Sequence, residues 1–178
     1  GLQLLPRDEN RHGIIMSVDK VSGLPLRALV VSSQRAVLER LHFVSLETGI
    51  TLGVQDFSYS AGSGASSSLD DCRDLSQPMV GSKWKPAWLP PGFVLSGYSY
   101  SDRDGHMETY TDGLASFSVF VKSVASSANT SNRVPVSPGI KRGATVIVMS
   151  LNKDISPPVH ITVLGEIPRP VAAKIAST

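Results

Sequence analysis

A run of small residues near the middle of the chain limits what the whole can fold into. Residues 60–68 consist only of serine, glycine and alanine. Such a segment buries too little apolar surface to offset the conformational entropy lost on ordering. We therefore predict a linker over residues 60–82, with separate folding units at residues 1–59 and 83–178.

Composition excludes several classes of protein. A hydrophobic fraction of 41% is enough for a packed core. The 17 basic and 15 acidic residues are scattered along the chain, whereas phosphate binding needs clustered positive charge, so nucleic acid is not expected as a partner. No apolar run is long enough to span a bilayer. The single cysteine, Cys72, excludes an internal disulfide, and its acidic neighbours disfavour a reactive thiolate.

The first unit has the pattern of an antiparallel sheet. Ile14, Met16 and Val18 alternate with other residues, and turn-forming residues follow at 22–25. We predict strands near residues 14–18, 26–32, 37–46 and 50–54, forming a meander with one better-buried face. Residues sharing an apolar face in such a sheet are candidates for holding an acyl chain. They are Ile14, Met16, Leu29, Leu41 and Phe43.

The second unit is also β-rich and ends in a helix. Alternation predicts strands near residues 93–100, 107–111, 114–122, 145–151 and 160–164, with Asp-Gly pairs marking turns. Pro170 suits the first turn of a helix and the alanines after it suit its body. The fold class is therefore mainly β (α+β), with a short C-terminal helix.

Aromatic residues concentrate at the start of the second unit. Both tryptophans lie beside three prolines, which stiffen the backbone around them. Aromatic surface with such support suits a protein interface, although the same residues would equally suit a core. Core packing is the better interpretation for Trp88, while Tyr98 and Tyr100 share one strand face. The candidates for partner binding are Trp84, Trp88, Phe93, Tyr98 and Tyr100.

Patterns typical of catalysis or of a bound cofactor are absent from the sequence. Each of the four histidines stands alone, without the spacing of a metal site. Neither phosphate-binding glycine motif occurs, and Ser63 lies in low-complexity sequence instead of a strand-to-helix elbow. We expect no metal, no cofactor and no enzymatic activity. The alternative of a hydrolase would need a serine, a histidine and a carboxylate brought together from distant segments.

Several motifs, taken in order, resemble the RseB/MucB family. The resemblance covers two parts of the chain, about residues 8–49 and most of residues 84–178. In the first part His12 replaces the aromatic residue that the family has in an Arg-Tyr-Gly strand. The matching segments are residues 11–13, 22–26, 37–43, 88–93, 112–120 and 163–168.

The resemblance implies a periplasmic regulator. Members of the family have a large N-terminal domain similar to lipoprotein carriers, an open β-barrel-like sheet on helices, and a small C-terminal β domain. Residues 1–59 would then be the end of the large domain, and the chain a fragment or a shortened form. Such proteins bind the periplasmic segment of a membrane-bound anti-sigma factor of the RseA/MucA type and protect it from the site-1 protease.

The resemblance also implies a ligand that regulates this binding. Lipid or lipopolysaccharide releases the partner and so activates the envelope-stress, alginate or sigma-E type, response. The alternative is a periplasmic carrier or sensor of lipid or lipoprotein acyl chains. The oligomeric state is left open.

Overall fold

Four short strands near the N terminus form an antiparallel sheet in chain order. The computed structural model of the protein describes residues 1–57, 84–102, 104–124 and 139–177. The order of this first sheet is β1-β2-β3-β4. Its strands are β1 (Leu2–Leu4), β2 (Gly13–Val18), β3 (Pro25–Val31) and β4 (Val37–His42).

The second unit holds a larger antiparallel sheet and the only α-helix of the described residues. The strand order is β5-β6-β7-β10-β9-β8. The elements are β5 (Val94–Ser101), β6 (Gly105–Thr111), β7 (Ser116–Ser123), β8 (Ile140–Arg142), β9 (Thr145–Asn152), β10 (Val159–Gly165) and α1 (Arg169–Ala176). Because β10 inserts between β7 and β9, the sheet is not a simple meander.

The main core lies between one face of this second sheet and helix α1. In β7 the residues Phe117, Val119 and Val121 are buried and alternate with less buried neighbours, as a half-buried strand requires. Helix α1 packs on β9 and β10, and its own buried residues include Ile175. The Ser150 hydroxyl of β9 donates to the Ala176 carbonyl at the end of the helix. The second sheet therefore has a packed inner face and a more exposed outer face.

The structure confirms the mainly β class with two antiparallel sheets and a short C-terminal helix, and corrects details of the first unit. The strand expected at residues 50–54 is wrong, because Val54–Phe57 forms a 3₁₀ helix and the residues just before it have no regular structure. Strand β1 pairs with β2 through three residues, too few for an alternation pattern to show. Neither sheet closes on itself in the described part of the chain. The linker predicted at residues 60–82, with Cys72, lies outside the described residues.

Candidate functional site

Arg11 connects the two sheets through its guanidinium group. It lies just before β2, and its Nε donates to the carboxylate of Asp112 in the turn between β6 and β7, while Nη2 donates to the Pro91 carbonyl. Nη1 pairs with Asp8 at 2.8 Å, and the guanidinium carbon lies 5.0 Å from the centre of the Phe93 ring. One side chain therefore ties the start of β2 to two segments of the second unit.

Asp112 is held ionised by this arrangement. Burial acts to raise its pKa, but the backbone N–H of Ala115 and the side chain of Arg11 outweigh that effect, so the pKa lies below its ordinary value of 3.8. Its Oδ1 accepts hydrogen bonds from the backbone N–H groups of Leu114 and Ala115 at 3.0 and 2.8 Å. The same carboxylate thus shapes its own turn and receives Arg11.

The imidazole of His12 lies between the two units. Both of its ring nitrogens are buried, and within the described residues neither meets a partner in hydrogen-bonding geometry. Burial lowers the pKa of His12, and the positive charge of Lys141 lowers it further. The nearby backbone groups of Ala144 and Ile167, together with the Glu39 carboxylate, act to raise the pKa of His12, but it still lies below its ordinary value. The ring is therefore neutral at neutral pH.

Glu39 makes a third connection, at the tight turn between β8 and β9. Its carboxylate accepts the backbone N–H of Ala144 at 3.0 Å. The preceding Gly143 has a φ of 62°, and a Cβ there would lie 2.4 Å from the Glu39 carboxylate oxygen. Glycine suits this position, because other residues are strained at this φ and a Cβ would displace the Glu39 carboxylate. We call the set of Arg11, His12 and Glu39 with their contacts in the second unit the junction.

A cavity of about 210 Å³ opens beside the junction. Its apolar walls come from both units, with Leu4, Ile14 and Val30 on the first sheet and Leu114 and Ala115 on the turn before β7. Arg11 and Asp112 also line it. Concave, mostly apolar spaces with a few fixed polar groups are typical of ligand sites.

The aromatic residues proposed for partner binding differ in how deeply the structure buries them. Trp84 and Phe93 are buried, with 3% and 6% of their surface exposed, and they belong to the core of the second unit. Trp88 is half-buried against that core, with the Lys174 ammonium 3.7 Å from the centre of its ring. A cation over an indole face is attracted by the ring quadrupole. Trp88 is thus the least buried of these three residues.

Tyr98 and Tyr100 lie on one face of β5, as the sequence predicts, beside His106 of β6. The ring centres of Tyr98 and Tyr100 are 5.8 and 4.8 Å from that of His106, and the Tyr98 hydroxyl is hydrogen-bonded to His106 Nδ1. On the same face the buried Glu108 accepts a hydrogen bond from the Tyr110 hydroxyl at 2.5 Å. Tyr100 is 39% exposed. These side chains share the inner face of the sheet with the core, because Glu108 pairs with Val119, and this end of the face is aromatic and polar and partly open to solvent.

The apolar face proposed on the first sheet contains only some of its expected members. Ile14, Met16 and Leu41 share one face, because Met16 pairs with Ala28 and Ala28 pairs with Leu41. Leu29 is opposite Ile15 and Arg40, so placing it on that face is wrong. Phe43 follows the end of β4 and is 54% exposed. Of the shared face, Ile14 also reaches the cavity.

Features of a metal site or of a membrane span are missing from the described ranges. No group of three or more histidine, cysteine, aspartate or glutamate residues there is arranged to hold a metal ion. Among the same residues, no helix is long and apolar enough to cross a bilayer.

Models of known protein families match both parts of the chain. The model of the MucB/RseB C-terminal domain matches residues 79–178, more than half of the chain. The chain belongs to the MucB/RseB family. The model of the MucB/RseB N-terminal domain matches residues 1–61. The family expected from the motifs is confirmed.

Curated relatives in this family are regulators of sigma factors. The "Sigma factor AlgU regulatory protein MucB" of Pseudomonas aeruginosa is 30% identical over 98% of this chain and 54% of its own length. The "Sigma-E factor regulatory protein RseB" of Escherichia coli is 29% identical over 98% of this chain and 52% of its own length. The chain thus spans about half the length of the curated relatives it matches. Their names describe regulatory proteins and not enzymes.

Solved MucB structures share the fold. The complex of Pseudomonas aeruginosa MucA and MucB gives a TM-score of 0.73, covering 98% of this chain and 56% of that chain. MucB in complex with MucA(peri) gives 0.72, covering 96% and 57%, and a structure of MucB gives 0.59, covering 97% and 54%. Sequence identity is 28% in all three. The lower third score therefore reflects a difference in geometry.

The residues that join the two units were not singled out by sequence reasoning. Arg11 and Asp112 are 101 positions apart, and Glu39 and Ala144 are 105 apart. Neither pair belongs to a periodic pattern. The one available signal was positional, since Arg11 and Asp112 each lie within a motif that resembles the MucB/RseB family.

Proposed function

We propose that this chain acts in the periplasm as a regulatory binding protein. Its partner is the periplasmic segment of a membrane-bound anti-sigma factor of the RseA/MucA type. By covering that segment it blocks site-1 proteolysis and restrains the envelope-stress, alginate or sigma-E type, response. The observation that carries the proposal is the shared fold with MucB in its MucA complex, over 98% of the chain at a TM-score of 0.73.

The arrangement of the two units supports the same proposal. The score against MucB falls from 0.73 and 0.72 in the MucA complexes to 0.59 for MucB alone, at equal identity and nearly equal coverage. Each sheet taken alone would contribute little to such a difference, because packed sheets deform less readily than the connection between them. We infer that the junction of Arg11, His12 and Glu39 holds the arrangement that suits partner binding.

The docking surface proposed here is the exposed aromatic part of the second unit. Trp88, Tyr98 and Tyr100 each keep a polar contact and some exposure. Trp84 and Phe93 contribute indirectly, since they belong to the core cluster against which Trp88 packs. Partly exposed tyrosine and tryptophan on a rigid support are the side chains that dominate binding energy at many interfaces.

Release of the partner is assigned to an apolar ligand in the cavity between the two units. The cavity of about 210 Å³ lies between the sheets, and both Arg11 and His12 line it. An acyl chain or lipopolysaccharide that prefers a wider cavity would shift the units away from the arrangement the partner needs. Coupling of this kind is reciprocal, so the partner would weaken lipid binding by the same factor.

We propose domain boundaries that assign each sheet to a different domain. We assign residues 1–59 to the end of a large domain similar to lipoprotein carriers, residues 60–82 to the linker, and residues 83–178 to the small C-terminal β domain. The open four-stranded sheet, with exposed Leu41 on its edge strand β4, is consistent with part of a larger, barrel-like sheet.

Binding of a purified MucA periplasmic segment tests the proposal. We expect a saturable complex, slower cleavage of the segment by the site-1 protease, and weaker binding by Tyr98→Ala and Tyr100→Ala. Phe57→Ala is a matched control, because Phe57 is 73% exposed and lies outside the proposed surface. Full binding by both folded tyrosine variants would argue against the surface, and no binding by the wild type would argue against the function.

Lipid carriage is the second candidate, and the cavity favours it. In this account the first sheet stores an acyl chain and any protein contact is secondary. Native mass spectrometry of the protein after mild purification separates the two. A carrier retains stoichiometric lipid and binds no MucA segment, whereas a regulator binds the segment when free of lipid and binds it more weakly as lipid is added.

A further inference from the structure

A second groove at the junction carries an excess of positive charge. It has a volume of about 380 Å³ and lies between the loop before β2, the turn after β3, strand β8 and the start of helix α1. Three cationic side chains line it, namely Lys141, Arg169 and Lys174, against the single carboxylate of Glu9. Both units contribute to its walls.

None of the three cations forms an ion pair within the part of the chain that the structure describes. The ion pairs found there all belong to Arg11. Lys174 lies over Trp88, an interaction that leaves its charge uncompensated. The same excess charge reaches His12, which also lines the groove and whose pKa is lowered by burial and by Lys141. An anionic occupant would relieve this repulsion.

The neighbouring backbone favours a polypeptide as the occupant. Strand β8, which carries Lys141, is the last strand of its sheet, so its outer edge pairs with no other described strand. An extended peptide can add to such an edge, while a lipid headgroup makes no use of it. Trp88 adds an aromatic wall that suits an apolar side chain between acidic ones.

We infer that this groove binds an extended acidic segment of a protein partner. Carboxylates of the segment face Lys141 and Arg169, and an apolar side chain lies against Trp88. The inference rests on the proposed function, since it supplies a second contact region for the same partner. Because the groove is formed by both units, its occupation also favours the arrangement that the junction holds.

A short peptide tests the groove without the natural partner. The probe is a capped octapeptide that alternates aspartate or glutamate with valine, and the matched probe carries asparagine and glutamine instead. We expect saturable binding of the acidic peptide that weakens as salt is added, and at least about tenfold weaker binding of the neutral one. Equal binding of the two peptides, or none, would overturn the inference.

Variants locate the binding. Lys141→Gln and Arg169→Gln should each lower the affinity for the acidic peptide by up to about fivefold, as expected for exposed charges. The double variant should lower it further. Lys153→Gln, the same change in the exposed turn between β9 and β10, should leave affinity unaltered. Equal effects of all three changes would mean a diffuse charge effect and would refute the groove.

Two further experiments distinguish a peptide from a lipid in the groove, and distinguish failure of the groove inference from failure of the proposed function. If phosphatidylglycerol vesicles bind in a manner that depends on Lys141 while the acidic peptide does not, the polypeptide assignment is wrong. If the MucA periplasmic segment binds and the double variant leaves its affinity unchanged, the groove inference fails and the proposed function stands. If the acidic peptide binds as expected and the MucA segment does not bind at all, the proposed function fails alone.

Discussion

The ion pair between Arg11 and Asp112 should couple the two units measurably. Arg11→Gln removes the charge and the fork of donors, while Asp112→Asn keeps an oxygen that can accept from the N–H groups of Leu114 and Ala115. The pair of changes therefore targets the connection between the units and spares the turn. The two single variants and the double variant complete a cycle that isolates the interaction.

The size of the coupling follows from the burial of the two side chains. Arg11 is 20% and Asp112 is 10% exposed at the side chain. Exposed ion pairs contribute up to about 1 kcal/mol, and breaking a fully buried pair costs about 3–5 kcal/mol. The pair lies between these limits, so we expect a coupling free energy of about 2 kcal/mol. It should weaken only slightly in salt, because the pair is mostly shielded from solvent.

Urea unfolding of all four proteins measures this energy. Far-ultraviolet circular dichroism is the suitable signal, because it reports both sheets, whereas both tryptophans lie in the second unit. A parallel cycle with Arg142→Gln and Asp112→Asn is the control, since Arg142 forms no pair with Asp112. A coupling below about 0.3 kcal/mol for Arg11 and Asp112, within the error of additivity, would refute the proposed connection.

Three more perturbations test the junction and the core. Below pH 6.5 His12 takes up a proton in the unfolded chain but not while it is buried in the folded protein, so the free energy of unfolding should fall as the pH drops towards the lower folded-state pKa. This pH dependence should flatten in His12→Phe, and equal profiles of urea midpoint against pH for the two proteins would contradict it. Phe117→Ala removes a ring that is 1% exposed and should lower the free energy of unfolding in urea by about 4 kcal/mol. The control Phe120→Ala, at a half-buried position on the same strand, should lower it by about 1–2 kcal/mol, and equal losses would mean that the inner face is not the core. Gly165→Ala would place a Cβ 2.3 Å from that of Phe117 and should lower the unfolding free energy by about 2 kcal/mol, so unchanged stability would contradict the close packing of β10 on β7.

The second unit was largely predictable from local patterns. Alternation marked buried Phe117 and Val119 on β7, and an Asp-Gly pair marked the turn before it. Pro170 and the alanines after it marked helix α1. These signals are local because a hairpin or a short helix is specified by neighbouring residues. Strand β8 was missed, since three exposed residues show no alternation.

The first sheet and the junction were harder to predict. In β3 apolar residues occupy consecutive positions, so the pattern does not say which face each one takes, and Leu29 was placed on the wrong side. The pairing of strands decides this, and pairing depends on neighbours that a single strand does not reveal. The contacts of Arg11 and Glu39 join residues more than 100 positions apart. No periodicity links such residues, so only the folded chain brings them together.

Binding of the MucA periplasmic segment to the 178-residue chain tests the central claim most directly. Calorimetric titration of the purified chain should give a saturable complex, and the corresponding portion of Pseudomonas aeruginosa MucB serves as the positive control. We predict that both proteins bind the segment and slow its cleavage by the site-1 protease. If the MucB portion binds and this folded chain does not, the account of its function is contradicted.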